Sequence, residues 1–106
     1  MQFNQINEYQ TSANYFVTPY RSVRGVLSLG DRGLYFNREL TRQSIRVPYE
    51  QISAVWVQLV FQRIPYGIIV ETATDALQFR FWHVRGALHV FNRKLPAGLV
   101  RHQRRK

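Results

Sequence analysis

The 106-residue chain contains no cysteine and only six acidic residues. It also has no apolar run near the ~20 residues needed to cross a bilayer as a helix. Each shortage closes a route. Without cysteine there is no disulfide framework, no thiolate zinc site and no cysteine nucleophile. The acids Glu8, Asp31, Glu39, Glu50, Glu71 and Asp75 are scattered singly, whereas hydrolytic chemistry needs a carboxylate pair or a nucleophile with a base and an orienting group. His83, His89 and His102 are the only histidines. The first two are six apart, which on a helix puts them on different faces, and no His/Asp/Glu group has metal-ligand spacing. Gly30-Asp31-Arg32-Gly33 is too short for a phosphate-binding loop and lacks the Lys-Ser or Lys-Thr that should follow. The expectation is a protein that is not an enzyme and holds no cofactor or metal. The N-terminus has neither the positive flank nor the apolar stretch of a secretory signal, so a cytoplasmic protein is expected.

What the chain has is positive charge. Fifteen basic residues against six acids give +9, and Lys94 and Lys106 are the only lysines, so nearly all the charge is arginine. Such a field attracts nucleic acid, an anionic lipid surface or an acidic protein patch without choosing among them. Arginine adds bidentate recognition of phosphate or carboxylate, although a compositional bias of the host explains the preference equally well. The terminal run Arg101-His102-Gln103-Arg104-Arg105-Lys106 reads as a frayed basic tail. It suits anionic lipid, nucleic-acid phosphates or simple solvation.

The 45% hydrophobic and 14% aromatic content fits one packed domain over residues 1–100, with 101–106 as the flexible tail. Residues 10–20 carry β-branched and aromatic side chains and read as a strand, followed by a second over 23–29. Gly30-Asp31-Arg32-Gly33 predicts a tight hairpin whose glycines supply positive φ. Leu34 and Phe36 then face inward and Tyr35 outward. After a turn over 38–43, Ile45 and Val47 face inward and Arg46 outward. Pro48-Tyr49-Glu50-Gln51 breaks the ladder, and the plainer reading of this corner is that Tyr49 packs over it. Residues 52–61 are apolar on both faces, which implies burial on one side and cover or a partner on the other; a homodimer edge there stays open. Pro65-Tyr66-Gly67 predicts a turn and residues 68–71 a short strand. In the next strand Leu77, Phe79 and Phe81 alternate with Gln78 and Arg80. The period then changes from two to about 3.6, with Val84, Leu88, Phe91 and Leu95 along one helical stripe. Arg93 and Lys94 suit the helix C-terminus, and Pro96 with Gly98 ends it.

About seven strands and one C-terminal α-helix describe a mainly β chain in a pleckstrin-homology-like, partly open barrel. Trp56, Trp82 and Tyr66, interleaved with Arg80, Arg46 and Arg24, suit either base stacking or core packing beside one partner-facing patch. The second arrangement is the favoured one. Arginine and aromatic residues tend to anchor interfaces, which marks Arg46, Tyr49, Arg63, Tyr66, Arg80, Arg104 and Arg105 as partner-binding candidates.

The run Gly30-Asp31-Arg32-Gly33-Leu34-Tyr35-Phe36, the corner Ile45-Arg46-Val47-Pro48-Tyr49-Glu50-Gln51-Ile52 and the strand ending Phe79-Arg80-Phe81 together resemble the ManO family. These are small bacterial proteins, mostly from Firmicutes, encoded beside the mannose-family phosphotransferase system. The resemblance covers roughly residues 12 to 96. It departs at the corner, where Tyr49 stands in place of the tryptophan the family favours, and at Arg63-Ile64-Pro65-Tyr66. It implies a GRAM-like fold and a non-enzymatic accessory protein. Such a protein binds the membrane subunits of a mannose-family phosphotransferase transporter at their cytosolic side and modulates transport or its expression. A peripheral position at the inner face of the cell membrane would follow. No catalytic residue comes with the family. A nucleic-acid-binding regulator and an anionic-lipid-binding module remain the alternatives.

Overall fold

The computed structural model describes residues 4–38, 43–61 and 63–102. Alternating side chains build β1 (Asn7–Thr18), β2 (Arg21–Gly30), β3 (Gly33–Arg38) and β4 (Ser44–Pro48). A 3-10 turn, Tyr49–Gln51, leads into β5 (Ile52–Val60), β6 (Ile64–Thr72) and β7 (Ala76–Arg80). Helix α1 (Val84–Lys94) and a short β8 (Val100–His102) follow. The eight strands form one unclosed sheet in the order β4-β3-β2-β1-β7-β6-β5-β8. This is the expected fold class, mainly β in a partly open barrel with a single helix near the C-terminus, carrying one strand more than the sequence suggests.

The two halves of the sheet meet at three residue pairs between β1 and β7: Asn14↔Arg80, Tyr15↔Phe79 and Phe16↔Gln78. Behind that joint, Phe36, Phe79 and Phe91 are fully buried with Leu27, Leu29, Leu34, Ile68 and Val70. Tyr15, Phe36 and Phe79 form a ring trio with centroids 5.8, 5.3 and 5.4 Å apart. The helix buries Val84, Ala87, Val90 and Phe91, with Leu95 just beyond it. The packed stripe is therefore rotated from the expected one, and Leu88 is only partly buried. Small residues explain the rotation, because they let the helix come close to the sheet. A side-chain carbon at Gly86 would lie 2.5 Å from the Tyr9 ring.

Three expectations need correction. Gly30 and Gly33 do not supply positive φ; among the described glycines only Gly98 does, at 90°. They are needed for close approach, since a side-chain carbon at Gly33 would meet the Val47 carbonyl oxygen at 2.2 Å. Pro65-Tyr66-Gly67 is not a turn but lies within β6. The chain turns earlier, where the Arg63 amide donates to the Val60 carbonyl at 3.1 Å. Pro65 is tolerated because the β5–β6 register slips there, from Gln58↔Gly67 to Leu59↔Pro65, leaving Tyr66 as the extra residue of a bulge. The basic tail begins later than residue 101, because Arg101 and His102 belong to β8. That strand runs parallel to β5 with Val55↔Val100, Trp56↔Arg101 and Val57↔His102 paired. β8 lies along the Val55–Val57 stretch of the β5 edge. Glu39 and the middle of the 38–43 turn, and Arg104 and Arg105, lie outside the described residues. Among the described residues no helix is long and apolar enough to cross a membrane.

Two carboxylates tie segments distant in sequence. Glu8 on β1 accepts from Arg93 at 2.6 Å and Lys94 at 2.9 Å at the end of α1. The Lys94 hydrogen bond above all, with Arg93 beside it, holds the Glu8 carboxyl below its ordinary range despite desolvation. Asp31 accepts from the Gln5 and Ile6 amides at 2.9 and 3.1 Å, and these bonds, that of Ile6 first, lower its pKa. A depressed folded-state pKa contributes stability above the unfolded value that is lost as pH falls through the folded one. In an acid titration followed by amide NMR, the Gln5 and Ile6 signals should move with a midpoint below the roughly 3.9 of a free aspartate. A midpoint at or above that value contradicts the contact.

Candidate functional site

Residues directly opposite in neighbouring antiparallel strands share a sheet face. Asn14 on β1 is opposite Arg24 on β2 and opposite Arg80 on β7, which in turn is opposite Gly67 on β6. These positions alternate with the core residues Ala13, Phe79 and Ile68, so the row lies on the outer face. Gly67 adds no side chain to the row, and a groove of about 310 Å³ opens beside Arg80. Ser12, Asn14, Arg24, Tyr66, Arg80 and Trp82 line it.

Arg80 lines the groove with its side chain against two rings. Its guanidinium carbon lies 4.5 Å from the Phe16 ring centroid and 5.3 Å from that of Tyr66. Strand alternation places Phe16 two positions from Asn14 on the same face. The bulge re-aims Tyr66, which regular pleating would direct inward. Cation–π contact with two rings holds the guanidinium plane, which limits what Arg80 loses in entropy when its N–H edge takes up an acceptor. No carboxylate among the described residues lies within ion-pair distance of Arg80.

The sequence candidates divide on this geometry. Tyr66 and Arg80 come together. Arg63, exposed in the β5–β6 turn, lines an adjoining groove with Ile64, Trp82 and Arg85, so Trp82 borders both grooves. Arg46 sits apart on the edge strand β4, with its guanidinium carbon 5.9 Å from the Tyr35 ring centroid. Tyr49 is removed from the surface. It is buried, its O–H donates to the Gly30 carbonyl at 2.6 Å, and burial above all pushes its phenol far above the usual range. Its role is the packing role that the plainer reading gave it. Arg104 and Arg105 lie outside the described residues.

Trp56 does not form an open stacking platform. Its indole N–H donates to the Glu71 carboxylate, and the Arg101 guanidinium carbon lies 5.5 Å from its ring. Sequence reasoning missed Phe16 and Asn14 as site residues and did not choose Trp82. A signal for Trp82 was present, because Phe81 and Trp82 are adjacent aromatics and strand alternation admits only one of them to the core. Among the described residues, no group of three or more His, Asp or Glu side chains is placed to hold a metal ion.

No protein-family model and no curated protein sequence matches the chain. Among solved structures, it is similar to the crystal structure of the C-terminal domain of an unknown protein from Leishmania infantum. The two share 15% identity and a TM-score of 0.64 over 78% of this chain and 76% of that one. At that identity the likeness is one of fold: a mainly β, partly open barrel with one helix near the C-terminus.

Proposed function

We propose that this domain is a non-enzymatic accessory module that docks through the Arg80 groove on an acidic segment of a protein partner. Following the resemblance to the ManO family, we propose that partner to be the cytosolic side of a mannose-family phosphotransferase transporter. The observation that carries the reading is Arg80 itself, an exposed guanidinium in cation–π contact with Phe16 and Tyr66 and lining an open groove. A groove of about 310 Å³ is at the small end for ligand sites and takes one or two acidic side chains of a larger partner. A planar arginine edge matches a carboxylate in two parallel hydrogen bonds. The +9 net charge steers the module toward an acidic surface and speeds encounter.

Affinity capture with the tagged protein from detergent-solubilised host membranes, washed at physiological and then high salt, tests this. Transporter membrane subunits should be retained through the high-salt wash, because a fitted groove is screened less than diffuse charge. Recovery of nucleic acid or lipid alone, lost as salt rises, overturns the reading in favour of charge-driven binding.

A further inference from the structure

The corner beside the groove exposes apolar side chains where an isolated fold gains nothing from them. Phe61 is 81% exposed, Trp82 79%, Ile64 55% and Val60 42%. Val60 and Ile64 are a cross-strand pair, with Phe61 at the turn they enclose. Ile64 and Trp82 line the same shallow groove together with Arg63 and Arg85. Burial within this chain therefore does not explain the cluster.

Backbone strain marks the same corner. Among the described residues, the two non-glycine residues at positive φ are Phe61 at 54° and His83 at 62°. One carries the turn and the other directly follows Trp82. Bulky side chains in the left-handed region cost free energy and persist only where the surroundings hold them. The Tyr9 hydroxyl does so for His83, donating to its carbonyl at 2.7 Å. The two positive-φ positions thus coincide with or adjoin the exposed rings of Phe61 and Trp82.

The charge around the corner has one sign. Arg63, Arg80 and Arg85 flank it, and there is no Asp or Glu from position 51 to 70 or after Asp75. A protein interface depletes charge at its core and surrounds it with a mixed polar rim. An anionic bilayer surface instead offers uniform negative charge above an apolar layer. Tryptophan and phenylalanine settle at that boundary, and arginine can extend its guanidinium to the phosphates while its stem stays apolar.

We infer that the β5–β6 turn and Trp82 form a membrane-contact element that inserts to headgroup depth in an anionic leaflet. Phe61, Ile64 and Trp82 supply the apolar contact, and Arg63 and Arg85 the contact with lipid phosphate. This goes beyond docking on a protein partner, and the groove then lies next to the membrane plane.

The test mixes the intact protein with protein-free vesicles of phosphatidylglycerol and phosphatidylethanolamine, or of phosphatidylcholine alone, at physiological salt. Co-sedimentation and tryptophan emission are read. The protein should bind the anionic vesicles with a blue shift and leave the phosphatidylcholine vesicles unbound. Phe61→Ser with Ile64→Ser, at exposed positions, should weaken partitioning about tenfold or more. Arg63→Glu with Arg85→Glu, which leaves the apolar residues in place, should weaken it as well. Trp82→Phe should keep binding and lose the blue shift. Unchanged partitioning of the Phe61/Ile64 variant, absence of binding by the natural chain, or a blue shift that survives Trp82→Phe overturns the inference. Because the vesicles carry no transporter, failure here is separate from failure of the affinity capture.

Discussion

Phe79→Ala should remove about 3–5 kcal/mol of folding stability, the range for truncating a buried phenylalanine. The position makes the upper half of that range the expectation. Phe79 has no exposed surface and is packed against both Tyr15 and Phe36. Its backbone is opposite Tyr15 on β1 and Ile68 on β6, so it sits where the two halves of the sheet are joined by three residue pairs. A void there faces strands from both halves, and neither can collapse into it without shifting the joint. Domains of this kind have about 5–15 kcal/mol in all, so the variant should be near its unfolding threshold. Urea denaturation measures this as a fall in midpoint. A smaller slope as well would show the two halves separating before global unfolding. Phe79→Leu, which keeps most of the volume, should cost less than about 1.5 kcal/mol. A loss below about 1 kcal/mol for Phe79→Ala would show that the joint is not the centre of the fold.

The same residues show what a sequence discloses. β7 was legible because Leu77 and Phe79 alternate with Gln78 and Arg80 without interruption, and the helix because its period differs from that of the strands. Pattern reading works where local alternation and tertiary burial agree. It fails where pairing is decided at a distance. β8 has three residues, and its partner Trp56 lies 45 positions before Arg101, with no turn signal to announce a parallel contact. The bulge at Tyr66 is a register event between two strands, so a Pro-Tyr-Gly sequence reads as a turn while the partner strand holds it extended. The candidate surface was legible by half for the same reason. Arg80 and Tyr66 were visible as polar or aromatic residues near strand ends. Their junction with Phe16 needed the β1–β7 pairing, which joins residues more than 60 positions apart. Tyr49 admits two sequence readings, corner packing and partner contact, because a residue after proline at a corner has no alternation to place it, and the packed corner with its O–H turned inward to Gly30 decides for the first.

Charge reversal at the groove separates a fitted contact from a diffuse field. Arg80→Glu and Arg46→Glu each lower the formal charge by two, from +9 to +7 (9 − 2 = 7). Long-range steering therefore changes by a similar amount in both. Arg46 lies on the edge strand β4, four strands from β7 in the sheet order, beyond the ~8 Å over which exposed charges interact at physiological salt. Arg46→Glu should weaken capture of the acidic partner by about threefold or less, with the change in association rate. Arg80→Glu replaces a stacked guanidinium with a carboxylate facing the partner's own, and like charges brought together across an interface cost several kcal/mol. A loss of about a hundredfold or more in affinity, roughly 2.7 kcal/mol, is expected from titration against the proposed partner, the solubilised transporter subunits. Arg80 is exposed, so the thermal midpoint should move little and the loss should reside in binding. Arg80→Lys keeps the charge but loses the planar edge held by the Phe16 and Tyr66 rings, and should fall between the two at about tenfold. Equal losses for Arg46→Glu and Arg80→Glu would mean that the +9 field alone binds the partner and that the groove plays no part. A large gap between them, with Arg80→Lys in the middle, requires the partner to meet the stacked guanidinium itself.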